Sequence, residues 1–229
     1  MLIIADNRIP DDAKMNLRKQ GEIIYLETTG ITYESISGHP DIFFFKFNKR
    51  LVIAPNLPEK YKLLLKGRKI DFIEGEQPVG EKYPGTAAYN AVLSEKYLIH
   101  NFRYTDPTLT TIAQDYDLIH VNQGYTRCSL LSLKDDHFIT SDQGIKRVLE
   151  RHGIDVLYVD PSDIKLPGAK HGFFGGCCGI CNETVFITGN LSNFSDGDKV
   201  RYYLTNLGYS IEELGDGPLF DGGTLLFLD

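Results

Sequence analysis

Residues 171–182 read HGFFGGCCGICN, which gathers His171, Cys177, Cys178 and Cys181 around the glycine pair Gly175-Gly176. These residue types can bind a metal, exchange electrons, or supply a thiol nucleophile and its base. As a metal site the stretch is short of ligands. Cys178-x-x-Cys181 has the spacing of half a zinc knuckle, but a structural zinc needs four ligands and no second C-x-x-C occurs. As a redox pair it lacks the strand-to-helix turn such a motif occupies. No metal and no cofactor are therefore expected. What remains is Cys177 or Cys178 as nucleophile with His171 as base. Gly175 and Gly176 would let a backbone approach a ligand, present amides to an anion, or only relieve crowding between strands.

The fourth cysteine, Cys128, follows Arg127 in GYTRCSLLSL (124–133). A neighbouring cation lowers a thiol pKa and favours the nucleophilic thiolate. Strand neighbours point to opposite faces, however, and a cysteine buried as a small hydrophobe is the plainer alternative. His39 and Asp41 are two apart, so a strand would put both on one face. The carboxylate could pair with a planar guanidinium and the imidazole could move a proton near neutral pH. Their plain alternative is a turn, because Pro40 lies between them. Asn90 and Asp221 begin comparable segments. The candidate set is thus Cys128, His171, Cys177 and Cys178 for catalysis, with His39, Asp41, Asn90, Arg127 and Asp221 for binding. His100, His120, His137 and His152 are expected on the surface. No G-x-G-x-x-G, P-loop, G-x-S-x-G or H-E-x-x-H pattern is present.

The elements that must position these residues repeat along the chain. Five segments rich in β-formers end in a small or polar cluster: LIIADN (2–7), LVIAPN (51–56), YLIHNF (97–102), HFITSD (137–142) and VFITGN (185–190). Each is followed by an amphipathic stretch and a second strand, with Gly21, Gly67, Gly153 and Gly208 at positions suited to helix caps. Upstream of each exit strand lies another apolar strand: GHPDIFFFKF (38–47), GTAAYNAVL (85–93), GYTRCSLLSL, HGFFGGCCGI (171–180) and DGGTLLFL (221–228). The unit is strand, strand, helix, strand, repeating every 40 to 50 residues. One domain is expected, with units at about 38–84, 85–123, 124–170 and 171–220, and a fifth made from 221–229 plus 1–37. Sharing the fifth unit between the two chain ends would close a ring and leave no sheet edge exposed.

This organisation resembles the pentein fold, the five-bladed α/β-propeller of the guanidino-group-modifying enzymes, which include arginine deiminases, dimethylarginine hydrolases, amidinotransferases and agmatine deiminases. QGYTRCS (123–129) and GFFGG (172–176) further resemble segments of a branch of that superfamily with no activity to carry over. The resemblance implies an α/β fold and an active site in a central channel, where the inner strands begin. It implies a cysteine-dependent hydrolase of amidine C–N bonds, or an amidinotransferase, taking a small cationic guanidino compound. Family members usually carry the nucleophile in the last blade, in a glycine-rich segment ending His-Cys. Here that place reads DGGTLLFLD, without cysteine. His171 matches a family histidine in position, but Gly172-Phe173 stand where Leu-Asp is usual. Either the nucleophile lies at Cys128, Cys177 or Cys178, or the chain is a non-catalytic ring that binds a ligand or a protein.

Composition narrows the rest. The 229 residues carry a net charge of −7 with no basic block, which argues against a phosphate-neutralising nucleic-acid binder. The apolar start Leu2-Ile3-Ile4-Ala5 is too short for a signal peptide or membrane span. Four cysteines, three of them within five residues, do not look like a disulfide framework, so the expected setting is cytoplasmic. A homo-oligomer is compatible with all of this.

Overall fold

The computed structural model describes residues 1–228. All five exit segments are strands, and each is the middle of a three-stranded sheet. In chain order the elements begin with β1 (Leu2–Asp6), α1 (Asp11–Leu17) and β2 (Glu22–Leu26). Next come α2 (Pro40–Phe43), β3 (Phe44–Phe47), β4 (Arg50–Ile53), α3 (Glu59–Gly67) and β5 (Phe72–Glu74). The third stretch holds β6 (Val92–Leu93), β7 (Tyr97–His100), α4 (Pro107–Ile112) and β8 (Asp117–His120). The fourth holds α5 (Thr126–Ser129), β9 (Leu130–Ser132), β10 (Phe138–Thr140), α6 (Gln143–Arg151) and β11 (Val156–Tyr158). The last part contains a 3₁₀ turn (Gly175–Cys177), β12 (Cys178–Cys181), β13 (Thr184–Ile187), α7 (Gly197–Asn206), β14 (Ser210–Glu213) and β15 (Leu226–Leu228). Asp229, the end of the expected fifth unit, lies outside the described residues.

One pairing rule runs through the five sheets. The middle strand is antiparallel to the strand before it and parallel to the strand after the helix, as in Phe44 opposite Ile53 and Leu51 opposite Phe72. A parallel partner needs a crossover, and the intervening helix supplies it. In the first sheet the antiparallel partner comes from the other end of the chain: Leu2 faces Leu228 and Ile4 faces Leu226. Middle strands are apolar runs buried on both faces, β1 along its whole length. The helices bury one stripe each, Ile145 and Leu149 in α6 and Val200 and Leu204 in α7. Ala13 and Leu17 of α1 share a core cluster with Ile3, with Phe186 of β13 and with Phe227 of β15.

Three sequence expectations need correction. The inner strands are shorter than the apolar pattern implied, because residues upstream of them form tight turns: α2, α5 and the 3₁₀ turn at Gly175–Cys177. Pro40 is the cause in the first case. It suits the first helical position and holds His39 extended (φ −68°, ψ 118°), so His39 and Asp41 sit on a turn and not on a strand face. The glycine caps hold at Gly153 (φ +71°) and Gly208 (φ +77°), but the left-handed residue after α3 is Lys69 (φ +57°), and Gly67 remains inside the helix. Gly21 does not take a left-handed conformation either. His100 is fully buried, bonded through Nδ1 to Thr105 Oγ1 (2.7 Å) and through Nε2 to Gly124 O (2.9 Å), and burial lowers its pKa to about 4. No described helix is long and apolar enough to cross a membrane.

Candidate functional site

The segments that lead into the inner strands are bonded to one another through side chains and backbone. Asn90 is the hub between the first two neighbours. Its Oδ1 accepts from the amides of Arg127 (2.7 Å) and Cys128 (3.2 Å), and its Nδ2 donates to Asp41 O (3.2 Å) and approaches Cys128 Sγ (3.5 Å). Arg127 Nη1 donates to Gly175 O (3.2 Å). Asp221 then fastens the next turn, with Oδ2 accepting from Phe173 N (2.8 Å) and Oδ1 from Gly223 N (3.0 Å), while Gly222 and Thr224 both donate to Gly176 O. Asp41 N donates to Gly223 O (3.1 Å) and returns to the first turn.

Glycines make these approaches feasible. A Cβ at Gly176 would lie 1.9 Å from Asp221 Oδ1, and one at Gly175 would lie 2.4 Å from Arg127 O. Gly223, at φ +65°, brings its backbone against His39, where a Cβ would stand 2.2 Å from the imidazole Cγ.

Within this framework the thiol of Cys128 donates to Asp41 Oδ2 at 2.8 Å. One donor atom each from His39, Asp41 and Cys128 all lie within 4.8 Å of one another, and the three residues are 1%, 2% and 4% exposed. Neither ring nitrogen of His39 makes a hydrogen bond of good geometry, although the backbone of Asp221 faces the ring, and Asp41 Oδ1 also lacks a partner. Asp6 also approaches His39, its Oδ2 3.9 Å from Nε2. Its carboxylate is held by Arg8 through Nε (2.9 Å), Nη2 (2.5 Å) and the amide (2.7 Å).

Burial dominates the electrostatics. It pushes the Asp41 carboxyl up to about 6, against the opposing pull of the Cys128 hydrogen bond and Arg127. It raises Asp221 in the same direction, opposed by His39. The Cys128 thiol is driven well above its usual value by burial and then by the charges of Asp41 and Asp221. His39 is lowered by burial, with Asp221 and Asp6 acting against the shift. The resting site therefore holds a protonated thiol beside a neutral imidazole. The Cys128 thiol is thus raised and not lowered, and the neighbouring Arg127 guanidinium donates to Gly175 O.

A cavity of about 460 Å³ is lined by Asp41, Arg127, Thr224 and residues of the inner strands, with Lys46 and Glu95 at its border. Cys128 and His39 are not among its lining residues. A second cavity of about 340 Å³ is lined by Asp6, Arg8, Thr28, Glu34 and Gly38. His39 thus lies near two carboxylates, Asp41 and Asp6, each of which lines a different cavity.

The structure therefore brings together His39, Asp41, Asn90, Arg127, Cys128 and Asp221. Of the stretch 171–182, Phe173, Gly175 and Gly176 meet these residues through their backbone. His171 is half-buried, with Nδ1 against Gly172 O (2.9 Å) and its ring edge-on to Phe173. Cys177 points to Phe173 O (3.4 Å) and packs with Phe174 and Val185 in an apolar cluster. Cys178 belongs to the same cluster, its thiol pushed up to about 12 by burial. Cys181 approaches Met1 Sδ (3.2 Å). Three residues apart on β12, Cys178 and Cys181 have Cα atoms roughly 10 Å apart, beyond disulfide reach.

Two features were missed in the sequence. Asp6 ends an exit strand and not an inner one, and its pairing two residues later with Arg8 was the available signal. Tyr33 and Tyr125 share a hydroxyl contact (2.5 Å) that continues to Thr86 (2.6 Å), joining segments whose separation hides the relation.

Comparison with known proteins assigns the fold. DDAH from Pseudomonas aeruginosa, a cysteine-to-serine variant complexed with citrulline, superposes with a TM-score of 0.56 at 11% identity, covering 93% of this chain and 91% of that one. Agmatine deiminase from C. jejuni with substrate bound gives 0.57 at 11%, covering 96% and 80%. SxtG, an amidinotransferase from Microseira wollei in a saxitoxin biosynthetic pathway, gives 0.56 at 10%, covering 94% and 88%. At such identities the likeness shows the fold, which is that of the pentein enzymes acting on guanidino groups. No curated protein sequence matches this chain. The model of DUF6873, a family of unknown function, matches residues 4–226, and the chain belongs to that family.

Proposed function

We propose that this protein is a guanidino- or amidino-group-modifying enzyme with Cys128 as nucleophile, built as one five-bladed α/β-propeller whose last blade is completed by the N-terminal segment. The units at about 38–84, 85–123, 124–170 and 171–220, with 221–229 plus 1–37, are its blades. The hydrogen-bond circuit from Asp41 through Asn90, Arg127, Gly175 and Asp221 back to Asp41 supports that closure. A cytoplasmic setting, which keeps thiols reduced, is part of the proposal.

The observation that carries the reading is the thiol of Cys128 bonded to Asp41 with His39 beside both. A guanidinium entering the cavity that Asp41 lines would meet that carboxylate, with Asp221 buried behind it, and would lower the thiol pKa by its own charge. Cys128 would pass its proton to Asp41 as the S–C bond forms at the guanidinium carbon. The C–N bond to the departing amine would break as that nitrogen takes a proton from Asp41 or His39, leaving a thiouronium on the sulfur. With His39 as base, water would attack that carbon and the S–C bond would break, returning the thiol and a ureido product. If an amine attacked in place of water, the protein would be an amidinotransferase.

Two assays test this. Ammonia, urea or citrulline-type release from arginine, agmatine and methylarginines should appear in wild type and fall at least about a thousandfold in Cys128→Ala. A chloroacetamidine should label Cys128 and none of the other three cysteines. Neither turnover nor Cys128 labelling would end the catalytic reading. The second reading, a non-catalytic ring that binds a cation, is favoured by the 4% exposure of Cys128 and by the raised pKa of its thiol.

A further inference from the structure

We infer that His39, Asp41 and Cys128 form a binding site for a single transition-metal ion of the zinc class. The inference concerns the same residues as the proposed catalysis but does not depend on turnover. Three observations carry it. First, the donor set is imidazole and carboxylate from the turn at His39–Asp41 and thiol from the turn at Cys128, with donor atoms within 4.8 Å of one another. Zinc bond lengths of about 2.0–2.3 Å put tetrahedral ligand atoms roughly 3.3–3.7 Å apart, so the donors need only modest adjustment to share one ion. The thiol and imidazole favour zinc over magnesium or calcium, which prefer oxygen. Three protein ligands would leave a fourth position open to water or an anion.

Second, buried polar atoms without partners converge here. Both nitrogens of His39 and Oδ1 of Asp41 make no hydrogen bond of good geometry, with the Asp221 backbone and Asn90 only near them, although their residues are 1% and 2% exposed. Buried polar groups are almost always satisfied, and one ion could satisfy the carboxylate and an imidazole nitrogen together.

Third, an outer shell exists. Asn90 Nδ2 lies 3.5 Å from Cys128 Sγ, suited to stabilise a thiolate, and Asp6 Oδ2 lies 3.9 Å from His39 Nε2, in the relation of carboxylate to histidine common around bound zinc. Binding replaces the proton between Cys128 and Asp41: the S–H bond breaks, an S–metal bond forms, and one proton leaves to solvent. The thiolate and Asp41 then balance the two positive charges. Arg127, the nearby cation, is turned to Gly175 O.

The test is a Co²⁺ titration of chelator-stripped full-length protein. One equivalent should produce thiolate-to-cobalt charge-transfer absorption and tetrahedral d–d bands, both displaced by Zn²⁺. Cys128→Ser should abolish the charge-transfer band, and His39→Ala or Asp41→Asn should weaken binding at least about tenfold. Because these variants alter buried positions, wild type supplies a second measurement. Zn²⁺ should slow iodoacetamide alkylation of Cys128, located by peptide mass, at least tenfold, and leave Cys181 unchanged. No charge-transfer band, or a Cys128 alkylation rate indifferent to Zn²⁺, overturns the inference. Turnover under chelator reports on the hydrolytic reading alone, so either proposal can fail while the other stands.

Discussion

At the scale of single residues, Asp41 determines how the site responds to pH. Burial holds its carboxyl near pH 6, against about 3.8 for an ordinary aspartate, so the folded protein keeps the proton more tightly than the unfolded chain does. Its contribution to stability is complete below about pH 4 and is lost as pH rises through 6. His39, lowered by burial, works in the opposite sense, contributing above about pH 6.5 and less as pH falls. Asp41→Asn removes only the first effect. Denaturant unfolding should show the variant gaining on wild type by up to roughly 3 kcal/mol between pH 4 and pH 7. A gap independent of pH would mean that Asp41 is not held protonated by burial. The residue types at this site were legible in the sequence, since His39, Asp41, Asn90, Arg127, Cys128 and Asp221 were all marked as candidates. Their relation was not. Period-two reasoning set His39 beside Asp41 on a strand, whereas a proline-started turn does so, and no local pattern links position 128 to position 41. His171, Cys177 and Cys178 drew attention by clustering in sequence, yet the fold spends those two cysteines on packing.

At the scale of elements, the inner turns depend on glycines that admit a neighbour. Gly176→Ala would press a methyl onto Asp221 Oδ1, and that carboxylate is fixed by Phe173 N and Gly223 N. A loss of about 1–3 kcal/mol is expected in thermal unfolding. Gly67→Ala provides the comparison, because its added Cβ meets nothing within 4 Å and it closes an exposed helix end. That variant should be unchanged or more stable by up to about 1 kcal/mol. Equal behaviour of the two would show that the Gly176 turn can yield without cost. These requirements were only half legible: the glycine pairs stood out in GFFGG and DGG, but that the two turns clasp one another did not.

At the scale of the whole molecule, the sheets are coupled through the inner strands. Phe227 of β15 packs tilted against Phe186 of β13 with ring centroids 4.7 Å apart and is buried at 3% exposure. Phe227→Ala should cost about 3–5 kcal/mol, read as a single lowered unfolding transition and not as a loss confined to one segment. The five-fold repeat was the most legible property of all, because each middle strand announces itself by β-branched residues and a polar exit. Pairing Leu2 with Leu228 has a consequence for biosynthesis. At about 5–20 residues per second, Leu2, Ile3 and Ile4 leave the ribosome some ten seconds or more before the strand that will cover their edge. During that interval β1 can pair with β2 on one side only, and its other edge waits uncovered. Slow synthesis or early termination should therefore favour aggregation through the chain's first residues.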